Sequence, residues 1–171
     1  DLTQIIRREI SSEIYYLVGG HGGIIIDDIG FCEFDSPSYA IDRLLEKMEL
    51  ALEFNLSYNL EISISCLEWL EKNIPDKFTR FIDLFKKGKF EILNPTYTQP
   101  YNLIIGSESN IKQFAYGLNF LSKHGINSRI YYCSESSLHP QIPQLLSKFN
   151  IKYGSLKTRL LGSTPTANYP K

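Results

Sequence analysis

The sequence predicts an α/β fold in which parallel strands alternate with helices and share a sheet, open or closed into a barrel. Three observations carry this. Short apolar runs of strand length recur between segments whose apolar residues repeat at helical spacing. Pro, Gly and Asn punctuate the junctions between them. The chain has 171 residues, 43% hydrophobic and 22% charged, which is enough apolar material for one sizeable core.

Residues 14–18 read as a buried strand, followed by the run Gly19-Gly-His-Gly-Gly23. Residues 24–26 resume that strand or begin another, and Asp27-Asp-Ile-Gly-Phe31 leads away from it. Ser36-Pro37 is a helix start, and Ile41, Leu44, Leu45, Met48 and Leu52 then share one face up to residue 54. Residues 60–66 alternate with period two and read as the next strand, with a short helix over 67–73. Pro75 restarts the chain as a helix lined by Phe78, Phe81, Ile82 and Phe85. Lys86, Lys87 and Gly88 mark its end. A strand over 89–93 leads into a long loop over 94–109, and loops of that length in compact domains are often functional. Residues 110–124 form a helix with Ile111, Phe114, Ala115, Leu118 and Leu121 on one face and His124 at its C-terminal end. A strand over 129–133, a helix over 140–149 and a strand over 151–154 complete the pattern.

Composition excludes several classes. A net charge of −1 argues against a nucleic-acid binder that relies on a broad basic face. No apolar run reaches the roughly 18 residues of a membrane-spanning helix. Cys32, Cys66 and Cys133 are scattered and form no CxxC. They read as buried small hydrophobes and fit a reducing compartment such as the cytoplasm. The first residues carry no signal-peptide pattern, and the absence of a leading Met suggests that the natural chain starts upstream.

Parallel α/β sheets take ligands at the carboxyl ends of their strands. That rule selects residues 19–31, 65–69, 94–109 and 133–139. His21, Asp27 and Asp28 stand at the first strand end, and Ser134, Glu135 and His139 at the fourth. Carboxylates from two strand ends with histidines nearby supply either an acid and a base or nucleophile for hydrolysis, or O/N ligands for a divalent metal. Each group also has a structural use. Acidic residues cap helices, His21 fits an exposed glycine-rich hairpin, and His124 interacts with a helix dipole. Trp69 fits core or rim packing as well as a sugar platform, and Tyr97, Tyr101 and Asn102 fit either a polar-ligand site or the anchors of a long loop. The glycine run lacks the GxGxxG order of a dinucleotide site.

Several motifs carry a family likeness: Cys66-Leu-Glu-Trp-Leu-Glu-Lys-Asn-Ile-Pro-Asp-Lys-Phe, Phe85-Lys-Lys-Gly-Lys-Phe-Glu-Ile-Leu-Asn, Gln99-Pro-Tyr-Asn-Leu-Ile-Ile-Gly-Ser-Glu-Ser109, Gln113-Phe-Ala-Tyr-Gly117 and Ile142-Pro-Gln-Leu-Leu. In this order, over roughly residues 14–162, they resemble the N-terminal part of the α-mannosidases of glycoside hydrolase family 38. The resemblance implies part of a seven-stranded β/α barrel, shared more widely with family 57 amylases and with polysaccharide deacetylases. It implies a zinc ion, a retaining exo-acting α-mannosidase activity and a carbohydrate substrate.

The carry-over is made position by position. Asp28 and Phe31 match the Asp and aromatic residue of the family's His-x-Asp metal motif, with Ile26 standing where its histidine would be; pairing His21 with the motif puts Gly23 at the aspartate. The nucleophile position falls on Ser134, and its neighbour Glu135 resembles the family 57 glutamate in Glu135-Ser-Ser-Leu-His-Pro. The family 57 histidine signature near the N-terminus is absent, and the loop glutamate before proline is Gln99. The expected catalytic residues are therefore Glu135 and Ser134. The expected substrate contacts are Asp27, Phe31, Trp69, Tyr97 and Gln99, and the expected zinc ligands are Asp28, His21 and His139. The family's acid/base carboxylate and a further metal histidine come from sequence after the equivalent of Lys171. The chain is thus expected to be a fragment, or a barrel completed by another copy or a partner chain. Two rival expectations stand beside the glycosidase: a non-catalytic relative serving as a carbohydrate-binding or structural subunit, and a deacetylase-like metal hydrolase using Asp27, Asp28 and His139.

Overall fold

The structure, a computed structural model, describes residues 19–20, 36–132 and 139–155. Along the chain these form β1 (Gly19–Gly20), α1 (Pro37–Glu53), β2 (Ser57–Leu60), α2 (Ile64–Asn73), α3 (Pro75–Lys87), β3 (Lys89–Ile92), α4 (Ser107–Lys123), β4 (Ile130–Tyr132), α5 (Ile142–Lys148) and β5 (Tyr153–Ser155). β1, β2 and β3 pair in that order, all parallel, and β4 pairs parallel with β5. Two hydrogen bonds link the groups: the Tyr132 N–H donates to the Leu93 carbonyl at 2.7 Å, and the Ser128 hydroxyl donates to the Ile92 carbonyl at 2.8 Å. The alternating parallel α/β order is as expected, and no closed ring of seven strands is present among the described residues.

Local chemistry sets the helix boundaries. Ser36 accepts the Tyr39 N–H at 3.2 Å and Pro37 occupies the first turn of α1. Three helices end the same way. Asn55, Gly125 and Asn150 take left-handed backbone at φ 52°, 73° and 57°. The following Leu56, Ile126 and Ile151 donate back to Ala51, Leu121 and Leu146 at 2.8, 2.9 and 2.9 Å. Each of these turns delivers the chain towards the next strand. Gly88 ends α3 differently, with extended backbone at φ −104°. A Cβ there would lie 2.0 Å from the Phe90 ring, so any larger residue would require that ring to move.

One strand prediction fails. The strand expected over 60–66 is found at Ser57–Leu60, and α2 begins at Ile64 rather than Leu67. Leu60, Ile62 and Ile64 are all buried, which creates the alternating pattern. However, Ile64, Leu67 and Leu70 are buried at helical spacing, and that longer pattern determines the backbone. Gly19 and Gly20, expected as a connecting turn, are strand residues paired with Asn59 and Leu60.

The core lies in two clusters. The larger joins α1, α2 and α3 to β2 and β3 through Ile41, Leu45, Met48, Leu60, Leu67, Phe81 and Ile92. The smaller joins α4, β4 and α5 through Phe114, Tyr131, Ile142 and Leu145. Both bury apolar helix faces against one side of the strands, which is where most of the folding free energy comes from. Cys66 is half-buried against the larger cluster, with the Ser63 hydroxyl 2.8 Å from its sulfur; Cys32 and Cys133 lie outside the described residues.

Candidate functional site

The strand register sorts residues by face. Tyr58 and Leu60 on β2, and Ile92 on β3, are buried in the core against the helices, with Phe90 packed against it. Alternation puts Asn59 and Glu91 on the other face, and the ladder sets Gly19, Asn59 and Glu91 side by side. Burial pushes the Glu91 carboxyl above its ordinary titration range, and the positive Arg129 partly offsets this. Glu61, the first residue past β2, is buried at 7% exposure. Neither glutamate was among the expected site residues. The signal for Glu91 was present in the alternation Lys89-Phe-Glu-Ile92, where the glutamate faces away from two core residues.

The loop after β3 is firmly held. The Asn94 side-chain oxygen accepts from the Thr96 N–H at 3.1 Å and the Thr96 hydroxyl at 2.7 Å, and both residues are buried. The Tyr97 carbonyl accepts the Ser65 N–H at 2.8 Å, and its own N–H donates to the Gln113 carbonyl at 3.0 Å. The Thr98 N–H donates to the Gln113 side-chain oxygen at 2.8 Å. These bonds tie the loop to both α2 and α4. Gly117 makes the approach of α4 possible: a Cβ there would lie 1.9 Å from the Pro95 carbonyl oxygen.

Of the expected substrate contacts, three are described. Trp69 packs against the larger core cluster. The Tyr97 hydroxyl donates a short hydrogen bond to Glu68 Oε2, and its ring meets Tyr116 edge-on at 6.4 Å. Gln99 has left-handed backbone at φ 52°, and its side-chain Nε2 is buried with no hydrogen-bond partner among the described residues. The loop therefore holds a buried amide donor on left-handed backbone, just past the Tyr97 and Thr98 anchors. His124 caps α4 between the rings of Phe78 and Phe120, with its Nε2 3.5 Å from Glu71 Oε1. His21, Asp27, Asp28, Phe31, Ser134 and Glu135 lie outside the described residues. The segment expected as the second strand end, residues 65–69, is the body of α2; the actual strand end is at 61–63.

Of the expected zinc ligands, His139 is described. Its Nδ1 accepts the Gln141 N–H at 3.2 Å, just before α5. Among the described residues no group of three His, Cys, Asp or Glu is gathered to hold a metal. A shallow depression of about 500 Å³ lies between Pro143, Leu146, Asn150, Lys152 and Gly154. It lies where the chain enters β5, away from the carboxyl ends of the strands.

The Glu68–Tyr97 contact makes a pH-dependent prediction. Its hydrogen bonds from Tyr97 and then Lys72 hold the Glu68 carboxyl below the ordinary range, and the same bond raises the Tyr97 phenol. A depressed carboxyl contributes stability above its unfolded value, which is lost as pH falls through the folded value. A raised phenol contributes below its ordinary value and loses that contribution as pH rises through the folded one. Tyr97→Phe is expected to move the Glu68 titration, followed by carboxyl ¹³C NMR, back towards the ordinary range; an unmoved titration contradicts the contact.

The model of glycosyl hydrolase family 57 matches residues 9–158. An α-amylase of Pyrococcus horikoshii is 26% identical over 99 residues, covering 58% of this chain and 16% of that protein. A 4-α-glucanotransferase of Thermococcus litoralis is 27% identical over 107 residues, covering 62% of this chain and 16% of that protein. This chain thus spans about a sixth of the curated relatives it matches. A solved structure of the T. litoralis glucanotransferase superposes with a TM-score of 0.59 at 21% identity, over 70% of this chain and 20% of that one. An α-mannosidase from Enterococcus faecalis superposes with a TM-score of 0.57 at 25% identity, over 67% of this chain and 13% of that one. The likeness to an α-mannosidase is therefore found in a solved structure, while the matching family model is that of family 57. No helix among the described residues is long and apolar enough to cross a membrane.

Proposed function

Since this chain belongs to glycosyl hydrolase family 57, we propose that it forms part of a carbohydrate-active enzyme that cleaves or transfers α-linked glucose units with Glu135 as nucleophile. The observation that carries this reading is the family match over most of the chain, together with curated relatives named for α-glucan chemistry. Glu135 follows β4 by three residues. That spacing supports the assignment, since α/β folds hold reacting groups just past the ends of their strands.

The chemistry is a double displacement. The Glu135 carboxylate attacks the anomeric carbon, and the bond to the leaving oxygen breaks as a second carboxyl group protonates that oxygen. The resulting glycosyl ester is opened by water, giving hydrolysis, or by a sugar hydroxyl, giving transfer. The proton from the incoming group returns to the second carboxyl. The Gln99 amide donates to a sugar hydroxyl, which gives its buried Nε2 a partner. Asp27 and Phe31 stay proposed as substrate contacts, one for hydroxyls and one for a ring face. Zinc remains proposed through His21, Asp28 and His139, whose donor types suit it. Metal analysis checks this: about one zinc per chain supports a zinc-assisted site, and none removes it.

The narrower α-mannosidase reading keeps the same nucleophile and changes the sugar; the mannosidase structural neighbour supports it. A substrate panel on the whole protein separates the readings. Maltoheptaose is expected to be shortened or rearranged, with an aryl α-mannoside left intact. Faster cleavage of the mannoside overturns the glucan reading in favour of the mannosidase. Turnover of neither, with sugar binding retained, leaves the non-catalytic relative, for which the substitutions at Ile26 and Ser134 would be the cause.

A further inference from the structure

The turn at the tip of the loop after β3 has reversed polarity. Asn102 is 1% exposed, while its neighbours Tyr101, Leu103 and Ile104 are 55%, 50% and 79% exposed. Surface turns ordinarily do the opposite. Asn102 is drawn inward by three hydrogen bonds. Its Nδ2 donates to Asn110 Oδ1 at 2.7 Å, its backbone carbonyl accepts Asn110 Nδ2 at 2.8 Å, and its Oδ1 accepts the Tyr131 hydroxyl at 2.6 Å. Asn110 and Tyr131 are both fully buried, on α4 and β4. The Ile104 N–H donates to the Tyr101 carbonyl at 2.9 Å and closes the turn. Rolling the turn over to hide its apolar side would strand these buried groups without partners. The fold therefore fixes the apolar exposure in place.

The chemistry of the turn narrows its occupant. No residue from 92 to 107 is charged, so neither an anionic polymer nor a charged peptide is matched. Three side chains on one turn fall far short of the roughly 20–30 residues on each side of a stable protein interface. A pyranose ring has the right size, with an apolar C–H face for a tyrosine ring and hydroxyls at its edge for water. The turn also continues directly from Gln99, on the carboxyl side of β3.

We propose that Tyr101, Leu103 and Ile104 form the apolar rim of an oligosaccharide cleft, with Tyr101 as the stacking surface and the Asn102–Asn110–Tyr131 network as its rigid base. This rests on the proposed α-glucan reading of the chain. The test is calorimetric titration of the whole protein with maltoheptaose. Tyr101→Ala is expected to weaken binding roughly five- to tenfold, and Tyr101→Trp to keep it within about twofold. If the parent binds and Tyr101→Ala binds equally well, the rim is overturned and the α-glucan reading stands. If the parent itself does not bind maltoheptaose, both the rim and the α-glucan reading are overturned. If Tyr101→Ala leaves sugar binding unchanged and turns a sedimenting dimer into a monomer, the turn is a contact between chains and the sugar rim is overturned.

Discussion

Glu135→Gln is expected to lower kcat on maltoheptaose by at least about a thousandfold, because an amide of the same shape cannot form the glycosyl ester. KM is expected to change little, since the substitution removes a group that acts in bond making and leaves ground-state contacts in place. Ser134→Ala serves as the internal comparison. Counting back from Ile142-Pro-Gln in the family 38 likeness puts the nucleophile at Ser134, whereas the family 57 pattern puts it at Glu135. A loss of activity in Glu135→Gln with Ser134→Ala within a few-fold of the parent supports the family 57 register. The reverse result would move the nucleophile. Circular dichroism and the thermal midpoint of both variants separate chemistry from folding.

Gly117→Ala is expected to destabilise the protein by about 3 kcal/mol, despite a propensity gain of about 1 kcal/mol from replacing a helical glycine. The new methyl group would sit 1.9 Å from the Pro95 carbonyl oxygen and 2.9 Å from its carbon. Both are backbone atoms, so no side-chain rotation relieves the overlap. Either α4 or the loop must move, and the Tyr97 and Thr98 bonds to Gln113 bind the two together. Urea unfolding should show a lower midpoint with an unchanged slope. For a chain of this size the thermal midpoint should fall by roughly 10 °C. Unchanged or increased stability would mean that the close approach of α4 to residues 95–96 is wrong.

The same glycine shows what was legible in the sequence. Apolar spacing located α1 and α3 because their buried faces are almost wholly hydrophobic: Ile41, Leu45 and Met48 in one, Phe78, Phe81 and Ile82 in the other. It located the face of α4 only in part. Phe114 and Leu121 are buried as expected and Leu118 packs against the core, but Ile111 is 42% exposed, while Asn110 and Gly117 are buried. A stripe containing an amide and a glycine is invisible to a hydrophobic pattern. Asn110 is there for its bonds to Asn102, and Gly117 for the space it leaves to Pro95. The second strand was misplaced for a related reason. Its residues Ser57 and Asn59 look like a connector, and the buried isoleucines just beyond them imitate a strand.

The candidate site was legible in its location more than in its members. The rule of strand carboxyl ends led to the loop after β3, where Tyr97 and Gln99 are found. Tyr97 reads from the sequence as a ligand contact, and its hydroxyl is engaged with Glu68, a contact between residues 29 apart that no local pattern reveals. Gln99 came only from the family likeness. Its left-handed backbone and unpaired amide are properties of the folded loop. His139 is a metal-ligand candidate by residue type, and its Nδ1 accepts the Gln141 N–H just before α5.

The most direct test of the account is to trap the glycosyl intermediate. The whole protein would be incubated with a fluorinated α-glucosyl fluoride, digested with protease and analysed by mass spectrometry. The account predicts one added sugar on the peptide containing Glu135, and no adduct in Glu135→Gln. An adduct on another carboxylate, or turnover with inverted anomeric configuration, would contradict Glu135 as the nucleophile of a retaining reaction.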